Sequence, residues 1–459
     1  MLPKNKSANN SRGKKTIYPK KPSGKLYTYR KWVSYVLLLF LFFCPLLKFN
    51  GEQLVLLNFI ERKFVFFGLI FTPQDFYLFA IAMLIFIIFI VCFTVVLGRL
   101  WCGWACPQTI FMEMVFRRIE YWIEGDANKQ KKLDNGPWTT EKIWKKGVKH
   151  FIFLFISFAI ANTFLAYMIG SDMLFKIITE PIAQHLSGFA SIWLFTFIFY
   201  GVFAYLREVV CTVICPYGRL QGVLLDNQSL VVAYDFTRGE PRGHMQRNAI
   251  EQKTGDCIDC GLCVQVCPTG IDIRKGTQLE CVNCTACIDS CNEVMLKTSK
   301  PKNLIGFFNQ DFIAKRQPYK IALKAYGYAA VLFVIITVFS SLIYKRESIQ
   351  TTVLRASGTL YQSRGTYKTS NLYNAELVNK TNKTIEFTFK PQDSSDQIDF
   401  IQKATVLPKE RTAHLTFFLI RKNGLIKKYK TDAVFEVIAN GEVVSTATTS
   451  FFAQPSGND

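Results

Sequence analysis

Histidine is scarce in this chain: 459 residues contain four, at positions 150, 185, 244 and 414. No two of them fall where facing helices would present a pair, which removes a bis-histidine haem from consideration. A glycine-rich nucleotide loop in a strand–helix setting is also missing, so a bound flavin or nicotinamide has no support. Acidic residues are missing from the first 31 positions, which carry ten Lys or Arg. That tail reads as a solvated segment or as one that meets lipid headgroups. Nothing else resembles a nucleic-acid fold, so the formal charge of +21 does not imply a nucleic-acid partner. Cysteine is absent beyond Cys291, and charged residues are only 19% of the whole.

Half of the chain is apolar and 41 residues are Phe, which excludes a disordered or fibrous protein. Length alone suggests about three domains. Five stretches are long and apolar enough to span a bilayer: 32–49, 76–97, 148–169, 188–206 and 325–343. Lys and Arg in the short flanks set the orientation. The tail is basic, and 98–147 holds nine Lys or Arg, whereas the connection after the third span has one, Lys176. The N-terminus is therefore expected in the cytoplasm and the C-terminus outside.

Residues 50–75 are expected to lie in the membrane interface. The run 108–124 (QTIFMEMVFRRIEYWIE) is expected to be an amphipathic interfacial helix. From about residue 349 the pattern becomes strand-like, as in 384–389, 413–420 and 433–438. About seven short strands suggest an immunoglobulin-type β-sandwich without an inter-sheet disulfide. The fold class is thus multi-domain: an α-helical transmembrane bundle of five spans, an inserted bacterial ferredoxin-like domain and a C-terminal immunoglobulin-like sandwich. The expected divisions are a basic tail 1–31, four spans within 32–206, a linker 207–254 and the ferredoxin domain 255–300. A second linker 301–324, the fifth span 325–343 and the outer domain 344–459 follow.

Twelve of the 14 cysteines lie in four short clusters, an arrangement of metal clusters or redox thiols and not of a disulfide framework. Cys44 and Cys92 fall within spans and read as small apolar packing residues. Within 256–292, a C-x2-C-x2-C-x3-C-P run begins at Cys257, and a second C-x2-C-x2-C-x3-C run begins at Cys281. This is the spacing of a two-cluster bacterial ferredoxin, in which the fourth Cys of each run serves the other cluster. Cys257, Cys260, Cys263 and Cys291 would hold one 4Fe–4S cluster. Cys267, Cys281, Cys284 and Cys287 would hold the second. Paired CxxC also suits zinc, but eight cysteines in this register favour iron–sulfur.

Two further motifs, Cys102-x3-Cys106-Pro107 and Cys211-x3-Cys215-Pro216, each follow an apolar span. They form an internal repeat on the expected cytoplasmic face. Four thiolates there could converge on a soft metal ion, for which Cu(I) is well suited. A redox dithiol pair and a further cluster site are the competing readings. Arg99, Arg207 and Arg219 stand where they could lower the thiol pKa values.

The segments RLWCGWACPQT (99–109), CPYGRLQG (215–222), YDFTRGEPRG (234–243) and GDCIDCGLCVQVCPTGIDIR (255–274) resemble the cytochrome c oxidase accessory family named CcoG, FixG or RdxA. The resemblance implies a multi-pass protein of the bacterial inner membrane, with its ferredoxin domain cytoplasmic and its C-terminal domain periplasmic. It implies reduction of Cu(II) to Cu(I) during assembly of cbb3-type cytochrome c oxidase. The partners implied are membrane lipids, a cytoplasmic electron donor, and copper-delivery and oxidase-assembly proteins, with homo-oligomerisation left open. A quinol dehydrogenase of the NapH type shares the cysteine motifs, but the fifth span and outer β-domain favour the first resemblance. A non-catalytic assembly scaffold is the third reading.

Overall fold

The computed structural model describes residues 17–49, 51–60, 63–71, 75–243, 255–356 and 358–454, apart from 359, 366, 382, 410, 427 and 440. Most of the basic tail and His244 lie outside the described residues. The chain divides into two compact units. One draws on Met1–Phe43, Leu84–Leu165 and Asp172–Val334; the other on Cys44–Met83, Ala166–Ser171 and Ile335–Asp459.

Among the described residues, five helices are long and apolar enough to cross a membrane: Lys25–Leu46, Phe76–Leu97, Thr140–Ile169, Leu186–Leu206 and Leu323–Tyr344. Three boundaries differ from expectation by three residues or more. The first helix begins at Lys25. There the Asp289 carboxylate accepts from the first-turn amides of Leu26 (3.3 Å) and Tyr27 (2.8 Å), satisfying donors that a helix start leaves without partners. Its end falls earlier too, since Lys48–Phe49 forms a short antiparallel pair with Glu52–Gln53. The third helix starts at Thr140, in a basic stretch that the apolar pattern did not cover. Lys142 Nζ donates to the carbonyls of Asp134 (2.9 Å) and Gly136 (2.8 Å). It thereby neutralises the C-terminal end of the helix Ala127–Asn135, where carbonyls lack partners and the helix dipole is negative.

The segment 50–75, expected in the membrane interface, contains strands. Its described residues include an antiparallel meander of Val55–Asn58, Lys63–Phe66 and Leu69–Phe71. Leu56, Val65 and Ile70 form its small core. The two-residue turn between the last two strands has both central φ angles positive, Phe67 at 49° and Gly68 at 84°. Such a turn suits the twist of paired strands.

The run 108–124 is helical, as expected, and packs against protein on its apolar face. Phe111, Met112 and Phe116 are buried against Phe153, Ile160 and Phe203. Its polar stripe is buried as well, where Arg117 pairs with Glu113 (3.3 Å) and with Glu208. Glu120 accepts both guanidinium forks of Arg207, at 3.0 and 2.7 Å. Ion pairing compensates for the burial that an amphipathic surface helix would avoid.

Residues 349–452 form a β-sandwich. One sheet runs Gln397–Gln402, Thr412–Lys422, Lys368–Asn379, Ile349–Arg355, with Gln362–Ser363 attached to Lys368–Asn379. The other runs Thr388–Pro391, Lys430–Ala439, Glu442–Phe452. Side chains alternate between the two faces of a strand. Along Thr412–Lys422 and Lys430–Ala439 this points Phe417 and Phe435 inward, to pack with Tyr373 and Phe389. Three strands reach 11 or 12 residues, longer than the short strands expected.

Candidate functional site

The ferredoxin-like segment lies against a two-stranded antiparallel sheet of Val231–Tyr234 and Ile305–Phe308. Its two cysteine runs fold alike. In each C-x2-C-x2-C, the residues flanking the middle cysteine have positive φ: Asp259 (53°) and Gly261 (67°) around Cys260, Asn283 (52°) and Thr285 (66°) around Cys284. Gly, Asn and Asp tolerate this region, whereas β-branched Thr285 is strained there. Gly261 and Thr285 then cap the helices Leu262–Gln265 and Ala286–Lys297. Such alternation turns successive backbone N–H groups toward one concavity, the geometry of anion and iron–sulfur nests.

Two apolar-walled pockets result. Cys257, Cys260, Cys263 and Cys291 line one, with Leu262, Ile305 and Met295. Cys267, Cys281, Cys284 and Cys287 line the other, with Cys263 and Val282. Each expected ligand set is therefore brought to one pocket, with the fourth cysteine crossing between runs. Burial pushes the free thiols up, to about 11 for Cys263 and Cys284 and about 12 for Cys281 and Cys291. Four thiolates in such a space need cationic iron to balance them, so the donor set fits a 4Fe–4S cluster. Of the eight cysteines Cys260 is the exposed one, while Cys263 and Cys284 are buried.

The two C-x3-C-P motifs share a local fold. Cys106 (φ −64°, ψ 123°) and Cys215 (φ −68°, ψ 112°) each act as N-cap of a helix whose first residue is the proline. Proline suits that place, because its missing N–H has no partner to lose there. Each proline thus starts a helix, Pro107–Ile110 and Pro216–Leu224. Cys102 stands on the preceding helix Leu100–Trp104, and Cys211 within a wider turn, Val210–Ile214.

Both motifs lie against the second pocket. Cys102 packs with Val266, Val282, Cys284 and Ala286 in one buried cluster. Cys211 lines a small cleft with Pro268, Thr269 and Val282. Thr269 Oγ1 lies 3.4 Å from Cys267 Sγ. Gly98 and Gly103 permit this approach. A Cβ on Gly103 would stand 2.4 Å from the Val282 carbonyl oxygen, and one on Gly98 2.8 Å from that of Leu230.

Polar residues that the sequence did not point to hold the motif in place. Gln221, fully buried, accepts from Cys102 Sγ (3.0 Å) and Arg99 Nε (3.2 Å) and donates to Thr94 (3.3 Å). Arg99 also donates to the Leu279 carbonyl, and Arg30 Nε to that of Gly103 (2.7 Å). Thr109 Oγ1 is 4.0 Å from Cys211 Sγ. The arginines do not lower the thiols overall. Burial raises Cys102 to about 11, with Arg99 offsetting part of the rise, and raises Cys211 to about 11. Arg207 is committed to Glu120, and Arg219 is exposed. The four thiols are neighbours whose charges raise the pKa values of Cys102 and Cys211. Of the histidines, His150 Nδ1 is 2.9 Å from Tyr200 OH, His185 pairs with Glu180 at 2.5 Å, and His414 stands opposite Glu376 on paired strands.

Comparison with known proteins agrees with this anatomy. A family described as "4Fe-4S dicluster domain" matches residues 206–310, and one described as "4Fe-4S binding domain" matches 79–129. A third, described as an IG-like fold at the C-terminal of FixG, matches 339–454. The "Nitrogen fixation protein FixG" of Rhizobium meliloti is 37% identical over 307 residues, covering 64% of this chain and 57% of that protein. Protein RdxA of Cereibacter sphaeroides is 36% identical over 299 residues, 63% of this chain and 62% of its own length. Protein RdxB of the same organism is 31% identical over 399 residues, 83% and 82% of the two chains. The match thus spans less than two thirds of the first two relatives, and most of the third.

Proposed function

The chain belongs to the FixG/RdxA family of iron–sulfur electron-transfer proteins, and from that premise we propose that it reduces Cu(II) to Cu(I) during assembly of a cbb3-type cytochrome c oxidase. The observation that carries this reading is the seating of both C-x3-C-P motifs on one cysteine-lined pocket, Cys102 beside Cys284 and Cys211 beside Pro268 and Thr269. Cys257, Cys260, Cys263 and Cys291 would hold one 4Fe–4S cluster, and Cys267, Cys281, Cys284 and Cys287 the other. When bound, the clusters supply one-electron carriage to Cu(II), the substrate, which gains one electron and becomes Cu(I).

The chain's own residues do the rest. Exposed Cys260 makes the first pocket the accessible end for a cytoplasmic donor. Buried Cys102 and half-buried Cys106, Cys211 and Cys215 offer soft sulfur to copper, and thiolates favour the Cu(I) product. Gln221 accepts from the Cys102 thiol and orients it. Thr109 Oγ1 lies 4.0 Å from Cys211 Sγ and helps to position it. The apolar walls around Val282 exclude water between the motifs and the second pocket. The lysine and arginine bias supports an inner-membrane protein with the tail, both cysteine motifs and the ferredoxin domain in the cytoplasm. The immunoglobulin-like domain would then face the periplasm and meet copper-delivery or oxidase-assembly partners.

The test is anaerobic titration of reduced, purified protein with Cu(II), following cluster oxidation optically and Cu(I) with a chromogenic chelator. One Cu(I) per electron withdrawn is expected. Cys102→Ser combined with Cys211→Ser, with iron content unchanged, should abolish copper retention and slow cluster oxidation at least tenfold. Unchanged copper binding and rate in that double variant would remove these thiols from the reaction. Deletion in the native host should lower cbb3 oxidase activity in a way that added copper restores.

A further inference from the structure

The unit that carries the cysteines contains a cavity of about 500 Å³, within the range of small-molecule sites. It opens where the third long helix begins and the fourth ends, between His150 and the segment 204–213. One wall is apolar and outward-facing, with Tyr205, Leu206, Val209 and Val213 all exposed. The opposite wall is polar, with buried Glu120 and Lys149 and half-buried Arg207 and His150. Thr269 lines this cavity and also the pocket of Cys267, Cys281, Cys284 and Cys287, so one side chain separates the two.

The buried charges in the cavity are matched, while exposed Glu280 stands at its rim. Glu120 takes both forks of Arg207 and lies 3.7 Å from Lys149. Glu124 is 2.9 Å from both Lys146 and Lys149, and Asp134 is 2.5 Å from Lys146. A metal cation would have to break these pairs, whereas a neutral ligand that donates and accepts hydrogen bonds would not. Arg207 itself sits at φ 48°, ψ −122°, a region that ordinary side chains avoid, and the Glu120 fork holds it there. The His150–Tyr200 pair (2.9 Å) offers a proton acceptor, and the Tyr205 ring stacks on His150 with centroids 6.3 Å apart.

We infer that this cavity binds the headgroup of a lipid quinol, its isoprenoid tail leaving past Tyr205, Leu206, Val209 and Val213 into the bilayer. The inference deepens the reading of the clusters as electron carriers and rests on it, because the quinol is assigned as the membrane-borne electron donor. Oxidation of one quinol breaks two O–H bonds and yields one quinone, two protons and two electrons. The electrons pass across Thr269 to the two clusters, one each. The two protons pass in turn to His150, and from there to water. A donor of this kind enters beside the second pocket, and so adds to the access that exposed Cys260 gives a soluble donor.

The test uses the holoprotein in lipid nanodiscs of phosphatidylethanolamine and phosphatidylglycerol, with a menaquinone bearing one isoprene unit as the probe. Saturable binding of about one quinone per chain is expected, and the corresponding quinol should bleach the visible cluster absorbance under anaerobic conditions. Val209→Phe narrows the apolar mouth and Tyr205→Leu removes the stacking ring. Each should weaken binding at least tenfold and slow bleaching in step, with iron and sulfide content unchanged. Absence of saturable binding, or wild-type affinity in both variants, would overturn the inference. A separate arm reduces the protein with dithionite and adds Cu(II). Copper reduction there without quinone binding would defeat the quinol site alone. Quinol-driven bleaching without copper reduction would defeat the copper reading alone.

Discussion

The α-carbon of Gly103 faces the carbonyl oxygen of Val282 so closely that a Cβ there would stand 2.4 Å from it. Gly103 follows Cys102, and Val282 lies between Cys281 and Cys284, so one backbone contact joins a membrane-side motif to a cluster-binding run. Gly103→Ala should force the two apart, a strain of about 1–3 kcal/mol for overpacking in a close-packed site. Expected outcomes are a lower melting temperature and loss of the cluster held by Cys281, Cys284 and Cys287. Iron per chain should fall by about half. Full iron content at wild-type stability would show that this contact yields freely.

Iron and acid-labile sulfide should each approach about eight per chain in anaerobically purified protein, from two 4Fe–4S clusters. A value near about 12 would place a third such cluster on Cys102, Cys106, Cys211 and Cys215. The exposure of Cys260 against the burial of Cys284 sets an order of attack. Chelator or mild oxidant should destroy one cluster first, leaving a half-occupied intermediate. Cys260→Ser should remove that phase, and Cys284→Ser should remove the slower one. Simultaneous decay of all iron at one rate would contradict the order.

The cysteine register was readable because ligand spacing is a local property: three thiolates in one short run can close on one cluster whatever the rest of the chain does. The repeated C-x3-C-P was readable for the same reason. What each motif touches was not, since the contacts of Gly103 with Val282 and of Cys211 with Pro268 join distant parts of the sequence. The start of the first long helix was missed because its cap, Asp289, lies 262 residues beyond Tyr27. The run 108–124 was readable as a helix, but the partners of its polar stripe were not, because such a stripe looks the same whether it meets water or buried partners. Here Arg117 and Glu120 meet Glu208 and Arg207, residues far downstream.

That buried network gives a stability prediction. Glu120→Gln leaves the Arg207 guanidinium without its forked partner. Removing one member of such a buried pair costs about 3–5 kcal/mol. Replacing both, with Glu120→Gln and Arg207→Leu, should recover part of that loss. Unfolding in detergent, followed by the melting temperature at fixed protein concentration, measures the difference. With Arg207→Leu measured alone as well, a double-variant loss equal to the sum of the two single losses would mean that the pair contributes no coupling.

In the other compact unit, Asp75 is fully buried and contacts Arg346 (2.6 Å) and Lys380 (2.6 Å). Burial raises the carboxyl pKa, but hydrogen bonds from Lys380 and Arg346 and their charges outweigh it, and the folded-state value lies below the ordinary 3.8. The sign follows from linkage: a carboxyl with a depressed folded pKa binds its proton more readily when unfolded. Its contribution is therefore fully present above the ordinary carboxyl range and is lost as pH falls through the folded value. Stability of this unit should be flat from neutral pH down to about 5 and then decline. Asp75→Asn should lower stability at neutral pH and flatten the acid limb, because no proton is left to bind at that position. Thermal unfolding of both proteins from neutral pH down to about pH 3 measures the two limbs. An acid limb as steep in Asp75→Asn as in the wild type would assign the acid sensitivity to other carboxylates.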